Sequence, residues 1–330
     1  MTLLTVAVPA YNVEKYIDEC LGSFISGGIP EGVEVLVIND GSTDSTRERA
    51  ERYEREHPDV FRVITKENGG HGSGINTGLA NAKGKYFKIV DGDDMVDAKA
   101  FSEYLEVLKK CDADMVSTAF CCCDAVSMEP NEKRSPAVSG TLNEGLYAFD
   151  DISDRLFSRM HSTTWKTALL RDNGIVIDEH SFYVDMEYIL FPIRYVTDVY
   201  VCELPVYKYR LGLGGQSVSL EGLRKHCGDH ERVLERVLGL LDSFGADVSA
   251  QKRAYVEKGA AEMTAMQHQI YLSRRLREGT CRMSRELDAR LRKSYNGVYK
   301  ANRNRAVAAL RASGYVLYPA ASAAVRLLKK

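Results

Sequence analysis

Residues 4–40 read LTVAVPAYNVEKYIDECLGSFISGGIPEGVEVLVIND and decide the fold. The first six, Leu4–Pro9, form a short apolar run typical of a buried strand. The next segment places apolar residues at helical spacing, in a stripe that ends at Gly27-Gly28. Val33–Asn39 is a second apolar run of strand length. The stretch therefore predicts a strand, a helix and a second strand in succession.

The same alternation continues to about residue 120. It predicts a helix over Ser45–His57, a strand over Phe61–Ile64, a Gly-rich loop and a helix through Ala82, a strand over Tyr86–Val90, a helix capped by Asp97 that runs to Lys110, and a strand over Asp114–Phe120. Strands that alternate with helices form a mostly parallel, Rossmann-like sheet flanked by helices, which is an α/β fold. Ligands of such sheets bind beyond the carboxyl ends of the strands, where Asp40 and Asp91 lie.

The second half of the chain is less regular. We expect a surface loop over Ser127–Ser139, helices over Tyr147–Phe157 and Tyr183–Tyr195, and a pair of strands around Pro205 within Val199–Tyr209. From Gly222 the pattern is helical, with one apolar face made of Leu223, Cys227, His230, Leu234, Leu238 and Leu241. We place a boundary near 215–221, which separates a helical, basic C-terminal region, 218–330. A second division at residue 120 separates 1–120 from 121–217.

Composition excludes several classes of protein. With 330 residues, 45% of them apolar and 27% charged, the chain is long enough for a substantial core and is neither disordered nor collagen-like. It contains no apolar run that would span a bilayer and begins without a signal peptide, so we expect a cytoplasmic protein, soluble or peripheral on the inner face of the cell membrane. The eight cysteines include no C-x-x-C pair, so we expect reduced thiols rather than a zinc site.

Charge is distributed unevenly along the chain. Residues 251–330 contain 18 Lys and Arg but 5 Asp and Glu, and no acidic residue follows Asp288. Basic helices that also carry Tyr and Leu, as in 289–330, suit the surface of an anionic membrane. The alternative is a helical subdomain packed on the rest of the chain, with a solvated basic face. No motif supports nucleic-acid binding, so we expect none.

The acidic segment Asp91-Gly92-Asp93-Asp94 directly follows a predicted strand. Side chains alternate along extended backbone, so Asp91 and Asp93 project to the same side. Two converging carboxylates suit a divalent cation, Mn²⁺ or Mg²⁺, held jointly with a diphosphate. The alternative is an acidic turn that precedes the helix capped by Asp97.

Four segments occur in one order: Val8-Pro9-Ala10-Tyr11-Asn12, Val37–Asp44 (VINDGSTD), Asn68-Gly69-Gly70 with Asn76-Thr77-Gly78, and Asp91-Gly92-Asp93-Asp94. Together they resemble the nucleotide-sugar half of family-2 glycosyltransferases, which have the GT-A fold. The resemblance is strong over residues 3–120 and looser over 145–217. It is specific because the four motifs share both order and spacing.

The resemblance implies roles for individual residues in the first half. Pro9 and Tyr11 would wall the site of the base and ribose, and Asp40 would accept hydrogen bonds from the base. Asp91 would contact the ribose or the metal, and Asp93 would ligate the metal. Asn76 and the Gly69–Gly74 loop would lie beneath the diphosphate. The alternatives are that Pro9 simply ends a strand, Asn76 is an ordinary helix residue and Asp40 forms a turn.

Two residues near the Gly-rich loop bear on this site. Ile75 stands where many relatives have Arg, so a cationic contact to the diphosphate is absent at that position. His71 lies within the loop, and we expect a solvated histidine there.

In the second half, Tyr183-Val184-Asp185-Met186-Glu187 resembles the family segment that provides the general base, although Val184 replaces the usual Glu. Asp185 is the predicted base and Glu187 its fallback; the alternative for Asp185 is a helix N-cap. Trp165-Lys166, after His161, matches an acceptor-side position, with a core Trp as the alternative. Arg210 and the loop Gly215–Ser219 would close over the donor, and a structural ion pair is the alternative for Arg210.

These residues predict an inverting transfer of a hexosyl or N-acetylhexosaminyl group. The donor would be a nucleoside diphosphate sugar, UDP-linked in most of the family. The acceptor would be a polysaccharide or lipid-linked glycan of the cell envelope or capsule. One alternative is a non-catalytic nucleotide-sugar or membrane-binding module. Another, a nucleotidylyltransferase, would need a basic Gly-rich loop after the first strand, which Val8–Tyr11 lacks. A homo-oligomer remains open.

Overall fold

The computed structural model describes residues 2–156, 158–212 and 220–328. Its strands are β1 (Leu4–Ala10), β2 (Val33–Asp40), β3 (Phe61–Lys66), β4 (Tyr86–Ile89), β5 (Met95–Val96), β6 (Met115–Asp124), β7 (Pro130–Ser135), β8 (Gly145–Ala148), β9 (Thr163–Lys166) and β10 (Asp198–Leu211).

The helices are α1 (Ile17–Ile25), α2 (Thr46–Glu56), α3 (His71–Asn81), α4 (Ala98–Lys110), α5 (Phe149–Ile152), α6 (Thr167–Asp172), α7 (Asp185–Leu190), α8 (Leu220–Lys225), α9 (Cys227–Asp242), α10 (Ala250–Ser273), α11 (Thr280–Ser294), α12 (Asn296–Ala301), α13 (Arg305–Ala312) and α14 (Tyr318–Leu328). Short 3-10 turns cover Met160–Ser162, Phe191–Tyr195 and Leu276–Glu278.

The strands form one sheet in the order β3-β2-β1-β4-β9-β6-β10-β5, with β7 paired to β6 and β8 to β10. Parallel pairing joins β1 to β2 and β4, β2 to β3, and β10 to β6. The short strand β9 runs antiparallel between β4 and β6. The predicted α/β class with a mostly parallel sheet is therefore confirmed.

In the first half of the chain, the strands and helices named here form where the local sequence patterns predict them. Every residue of β1 is buried, as its apolar sequence predicts, and the helical stripe of α1 is buried beside it at Ile17, Cys20, Leu21 and Phe24. Asp97 caps α4 as expected, because its carboxylate accepts a hydrogen bond of 3.0 Å from the amide of Ala100.

Several predicted elements of the second half are corrected. The expected loop 127–139 contains β7, and the expected helix Tyr147–Phe157 is β8 followed by the four-residue α5; Phe157 lies outside the described residues. The predicted strand pair is one strand, β10, whose register shifts on either side of Pro205. A bulge accommodates proline in a strand because proline has no N–H to donate. The predicted helix Tyr183–Tyr195 is α7 followed by a 3-10 turn.

Two compact units divide the chain, residues 1–213 and 214–330. In the second unit, the apolar face predicted from Leu223 to Leu241 is buried. The further division at residue 120 stays a prediction, and the predicted closing loop Gly215–Ser219 lies outside the described residues. Among the helices that are described, none combines the length and apolar character needed to cross a membrane.

Candidate functional site

The acidic turn Asp91–Asp94 lies at the carboxyl end of β4, beside the end of β1. The amide of Gly92 donates a 3.2 Å hydrogen bond to the carbonyl of Pro9. A Cβ on Gly92 would lie 3.1 Å from that same oxygen, so glycine lets the turn approach β1 closely. This contact fixes the acidic turn at the edge of the sheet where ligands of α/β folds bind.

Asp94 and Arg210 anchor the turn to β10. The buried carboxylate of Asp94 accepts hydrogen bonds from the hydroxyl of Tyr207 at 2.5 Å and from the amide of Arg210 at 2.7 Å. The Arg210 guanidinium is buried, donates to the carbonyl of Asp93 at 2.8 Å and pairs with Glu19 at 2.5 Å. Arg210 therefore forms a structural ion pair, which was the alternative interpretation of this residue. Its predicted contact with the donor stays a prediction.

His71 contacts the first carboxylate of the turn. Its Nε2 lies 2.7 Å from Oδ1 of Asp91. Burial alone would lower the pKa of His71, but the charge and hydrogen bond of Asp91 outweigh it and raise that pKa above its usual value. The expected solvated loop histidine is therefore wrong: His71 is the first residue of α3 and is paired with Asp91.

Asp91, Asp94 and His161 form a group that could hold a cation. Their ligand atoms lie within 4.8 Å of one another. Burial lowers the pKa of His161 to about 4, which keeps its imidazole neutral at physiological pH, and its buried Nδ1 has no hydrogen-bond partner among the described residues. Burial and the charges of Asp93 and Asp91 raise the pKa of Asp94 well above its usual value, so Asp94 must give up its proton when a cation binds. Two carboxylates and a neutral imidazole are then a donor set that suits Mn²⁺. The residues present therefore fit the predicted divalent cation.

This group differs in part from the predicted ligands, Asp91 and Asp93. It includes Asp91, but Asp94 and His161 take part where Asp93 was expected. Burial and the charge of Asp91 raise the pKa of Asp93 to about 6. Asp93 as a ligand stays a prediction. His161 was missed as a ligand because it is seventy residues away in sequence, and only the antiparallel insertion of β9 next to β4 brings it to Asp91.

A buried lysine lies beneath this group. Lys88 on β4 is fully buried, and its Nζ donates a 2.8 Å hydrogen bond to the backbone carbonyl of His161. Burial lowers the pKa of Lys88 to about 7. This hydrogen bond ties the turn that precedes β9 to β4, and so positions the backbone of His161. No sequence signal pointed to this residue.

Asp40 organises the glycine loop. Its Oδ1 accepts from the amide of Gly69 and the Nζ of Lys66, both at 2.9 Å, and its Oδ2 accepts from the amide of Gly70 at 2.7 Å. Asp40 is 3% exposed. The structure therefore shows Asp40 as an anchor of the loop that precedes α3, and its predicted contact with a base stays a prediction.

Helix α3 also holds a segment of the second half. The side-chain amide of Asn76 contacts the backbone of Ile177 twice. Its Nδ2 donates to the carbonyl of Ile177 at 2.8 Å, and its Oδ1 accepts from the N–H of Ile177 at 2.9 Å. Gly72 approaches the carbonyl of Asp178 so closely that a Cβ would collide with it. Asn76 is thus engaged with the backbone of Ile177 and, at 3.1 Å, with the carboxylate of Glu179, and its contact with a diphosphate stays a prediction.

The predicted base lies at the start of α7. Burial raises the pKa of Asp185, while the positive charges of His71 and Arg159 act to lower it, so Asp185 is within electrostatic reach of the His71–Asp91 pair. The N-cap position belongs to Val184, so the alternative of Asp185 as the N-cap is wrong. Glu187, the fallback, is fully buried and accepts from the amide of Asp178 at 2.7 Å.

The remaining predicted residues divide between surface and core. Tyr11 is 51% exposed and Pro9 is buried in β1, where its Cβ would lie 2.9 Å from a Cβ added to Gly74 of α3. Trp165 is fully buried, with its indole N–H donating to the carbonyl of Tyr188 at 3.1 Å. The core alternative for Trp165 is the one that the structure shows.

Comparison with known proteins places this site in a family. The model of the family described as glycosyl transferase family 2 matches residues 5–171. The chain is 37% identical to the glycosyltransferase EpsJ of Bacillus subtilis over 118 residues, 36% of this chain and 34% of that protein. It is 40% identical to the glycosyltransferase GlyA of Streptococcus pneumoniae over 108 residues, 32% of this chain and 14% of that protein. The chain thus spans about a third or less of the length of these curated relatives.

Two solved structures share the fold. TarS 1-349 of S. aureus, in complex with UDP-GlcNAc, superposes with a TM-score of 0.60 at 21% identity, over 95% of this chain and 92% of that one. The mannosyltransferase PcManGT of Pyrobaculum calidifontis, in complex with GDP-Man and Mn²⁺, gives 0.55 at 15% identity, over 99% and 87%. These likenesses confirm the expected GT-A fold. With a family model that covers half of its length, the chain belongs to glycosyl transferase family 2.

Proposed function

We propose that the chain is an inverting glycosyltransferase that moves a hexosyl or N-acetylhexosaminyl group from a nucleoside diphosphate sugar to a polysaccharide or lipid-linked acceptor. Such a reaction belongs to the synthesis of cell-envelope or capsule glycans. The observation that carries the proposal is the grouping of Asp91, Asp94 and His161 within electrostatic reach of Asp185. A cation-binding acidic turn and a separate carboxylate are what a metal-assisted sugar transfer requires.

Donor binding would use the cation group. Asp91, Asp94 and His161 would hold Mn²⁺ or Mg²⁺, with Asp93 beside them as a further ligand. When bound, the cation neutralises charge on the diphosphate leaving group. The complex of PcManGT with GDP-Man and Mn²⁺ supports, by analogy, the use of a cation together with a nucleoside diphosphate sugar.

The nucleotide would bind along the ends of β1 and β2. Exposed Tyr11 and Pro9 would wall the base and ribose, and Asn76 would lie near the diphosphate. Asp40 would accept from a base N–H: its Oδ2 accepts one hydrogen bond among the described residues, and a carboxylate oxygen has capacity for two. Uracil, which has such an N–H, is the base that we propose, and the UDP-GlcNAc complex of TarS supports it.

Asp185 would act as the general base. The acceptor O–H gives its proton to the Asp185 carboxylate while the acceptor oxygen bonds to the anomeric carbon. The bond between that carbon and the phosphate oxygen breaks from the opposite face, and the nucleoside diphosphate leaves with the electron pair. Burial raises the pKa of Asp185, which makes its carboxylate a better proton acceptor.

The test is donor turnover by the full chain with a panel of UDP, GDP and TDP sugars, with Mn²⁺ and with EDTA. We expect turnover of one nucleotide class that requires the cation. Asp185→Asn should reduce turnover by at least about a hundredfold, the usual contribution of a general base, and leave the Kd of the nucleotide unchanged. The matched control is Asp59→Asn, at an exposed position remote from the site.

The outcomes separate the alternatives. Nucleotide binding with equal, negligible turnover in the wild type and Asp185→Asn would favour the non-catalytic module. A product that retains the anomeric configuration of the donor would contradict the single displacement.

A further inference from the structure

The helix α14 is mostly apolar, with Arg326 as its one charged residue, and one of its sides is buried among the described residues. Its inner side carries buried Tyr318 and Ser322, and Ser322 donates to the carbonyl of Leu272 at 2.8 Å. Ala321 and Val325 pack against the same small core, which also contains Leu310 and Tyr315. A helix with so few polar side chains ordinarily buries more than one of its sides.

The outer side of α14 remains exposed. Leu317, Ala320, Ala324 and Leu327 follow the spacing of one helical face, and all four are exposed. Val316, in the turn before the helix, is 76% exposed and Leu327 is 71% exposed. We call Val316, Leu317, Ala320, Ala324 and Leu327 the α14 face. Contiguous exposed apolar surface of this kind marks a contact with another apolar phase.

The stretch of sequence that contains this face, residues 289–330, carries charges of one sign. After Asp288 the sequence contains ten basic residues and no acidic one. The carboxylate of Asp288 itself forms an ion pair with Arg311, at 2.6 Å. Arg303 and Arg305 are exposed near the start of α13, and within the described residues neither these two nor Arg326 of α14 forms an ion pair. Their natural partners are therefore anions.

We propose that the α14 face docks onto an anionic phospholipid surface. The apolar side chains would enter the boundary between headgroups and acyl chains, while the arginines would meet the phosphates, as in interfacial amphipathic helices. A second copy of the chain is a poorer partner for this face. A contact between two copies of residues 289–330 would join two segments of net positive charge, and these residues provide no acid to compensate it.

The experiment is flotation of the full chain with vesicles, in the absence of any sugar donor, so its outcome does not depend on the proposed activity. Vesicles of phosphatidylcholine alone are compared with vesicles that also contain phosphatidylglycerol. We expect binding to the anionic vesicles only, and weaker binding at high salt because the arginine–phosphate attraction is screened.

Matched variants locate the contact. Val316→Ser with Leu317→Ser should weaken binding about tenfold or more, because two apolar side chains no longer leave water. Arg303→Gln with Arg305→Gln should weaken binding to the anionic vesicles and reduce its salt dependence. The control pair, Val126→Ser and Val176→Ser, changes valines of the first unit that are 92% and 60% exposed and should leave binding unchanged. Circular dichroism verifies that each variant is folded.

Three results would overturn the proposal. One is equal binding to both kinds of vesicle or to neither. Another is anionic binding that the Val316 and Leu317 changes leave intact. The third is self-association in sedimentation that the same changes abolish, which would assign the face to a second copy.

Discussion

Lys88 donates a hydrogen bond of 2.8 Å to the backbone carbonyl of His161, from a position that no solvent reaches. The bond joins β4, which leads into the acidic turn, to the residues that lead into β9. Two parts of the chain that are far apart in sequence are thereby held at one edge of the sheet. A buried ammonium is an expensive way to make such a link, as the lowered pKa of Lys88 indicates.

Replacing Lys88 should show whether it serves mainly to position His161 or to stabilise the folded protein. In Lys88→Met we expect the free energy of unfolding to stay within about 1 kcal/mol of the wild type, because the lost hydrogen bond is offset by relief of the buried ammonium. The affinity for Mn²⁺ should nevertheless fall several-fold, because His161 loses its tether. Urea unfolding and Mn²⁺ titration measure the two effects. Lys83→Met, at an exposed position, is the control. Unchanged Mn²⁺ affinity in Lys88→Met would contradict a positioning role.

The cation group makes a prediction that distinguishes its ligands. At about a hundred times its Kd, Mn²⁺ bound with nucleotide should stabilise the wild type by about 2.7 kcal/mol. His161→Gln and Asp91→Asn should lose most of this increment. Asp93→Asn should lose part of the Mn²⁺ stabilisation if the Asp93 carboxylate is also a ligand of the cation, and should keep all of it otherwise. Thermal unfolding with and without EDTA gives the values, and Asp59→Asn again serves as control. Full Mn²⁺ stabilisation of His161→Gln would remove His161 from the ligand set.

Asp40 supports the loop that precedes α3. In Asp40→Asn one oxygen becomes an NH₂ group, which faces either a backbone N–H or Lys66 and cannot accept from it. We expect the free energy of unfolding to fall by roughly 2–3 kcal/mol, the effect of leaving buried donors unsatisfied. Urea denaturation measures it. A loss below about 0.5 kcal/mol, like that expected for Asp59→Asn, would show that the loop does not depend on this carboxylate.

The second unit should be sensitive to acid through His230. Burial lowers the pKa of His230 to about 4, whereas an unfolded histidine titrates near 6.5. Between these values the unfolded chain binds the proton and the folded chain does not, so this group removes stability as the pH falls from about 6.5 to about 4. We expect His230→Gln to lose less stability over this range than the wild type. Urea unfolding at several pH values, followed by helical circular dichroism, tests it. Parallel pH profiles for the two proteins would contradict the prediction.

Sequence patterns predicted the strands and helices that have a strong hydrophobic periodicity or a clear capping residue within a few neighbouring positions. The apolar runs of β1 and β2, the stripe of α1 and the cap at Asp97 need only neighbouring residues to be recognised, and all are present. The acidic turn could also be placed, because the fold class itself assigns ligands to the ends of strands.

The glycine-rich segment shows why other elements were missed. Residues 71–81 contain three glycines, which disfavour helices, so a loop was predicted at the position where α3 begins. The structure uses those glycines for tertiary packing: a Cβ on Gly78 would lie 2.6 Å from the Cβ of Ala7 on β1. Close approach to the sheet outweighs local propensity here, and only the assembled sheet reveals it. His161 was missed for the same reason, because its place depends on a pairing between distant strands.

The antiparallel position of β9 has a consequence for biosynthesis. All four motif segments lie within the first 94 residues, so a ribosome exposes them long before it has made residue 161. The imidazole reaches Asp91 only after β9 has been translated and has paired with β4. A nascent chain that ends between these points carries every motif of the nucleotide-sugar half yet lacks a third of its cation group. Competence to bind the cation through this group is therefore acquired only after β9 has been translated.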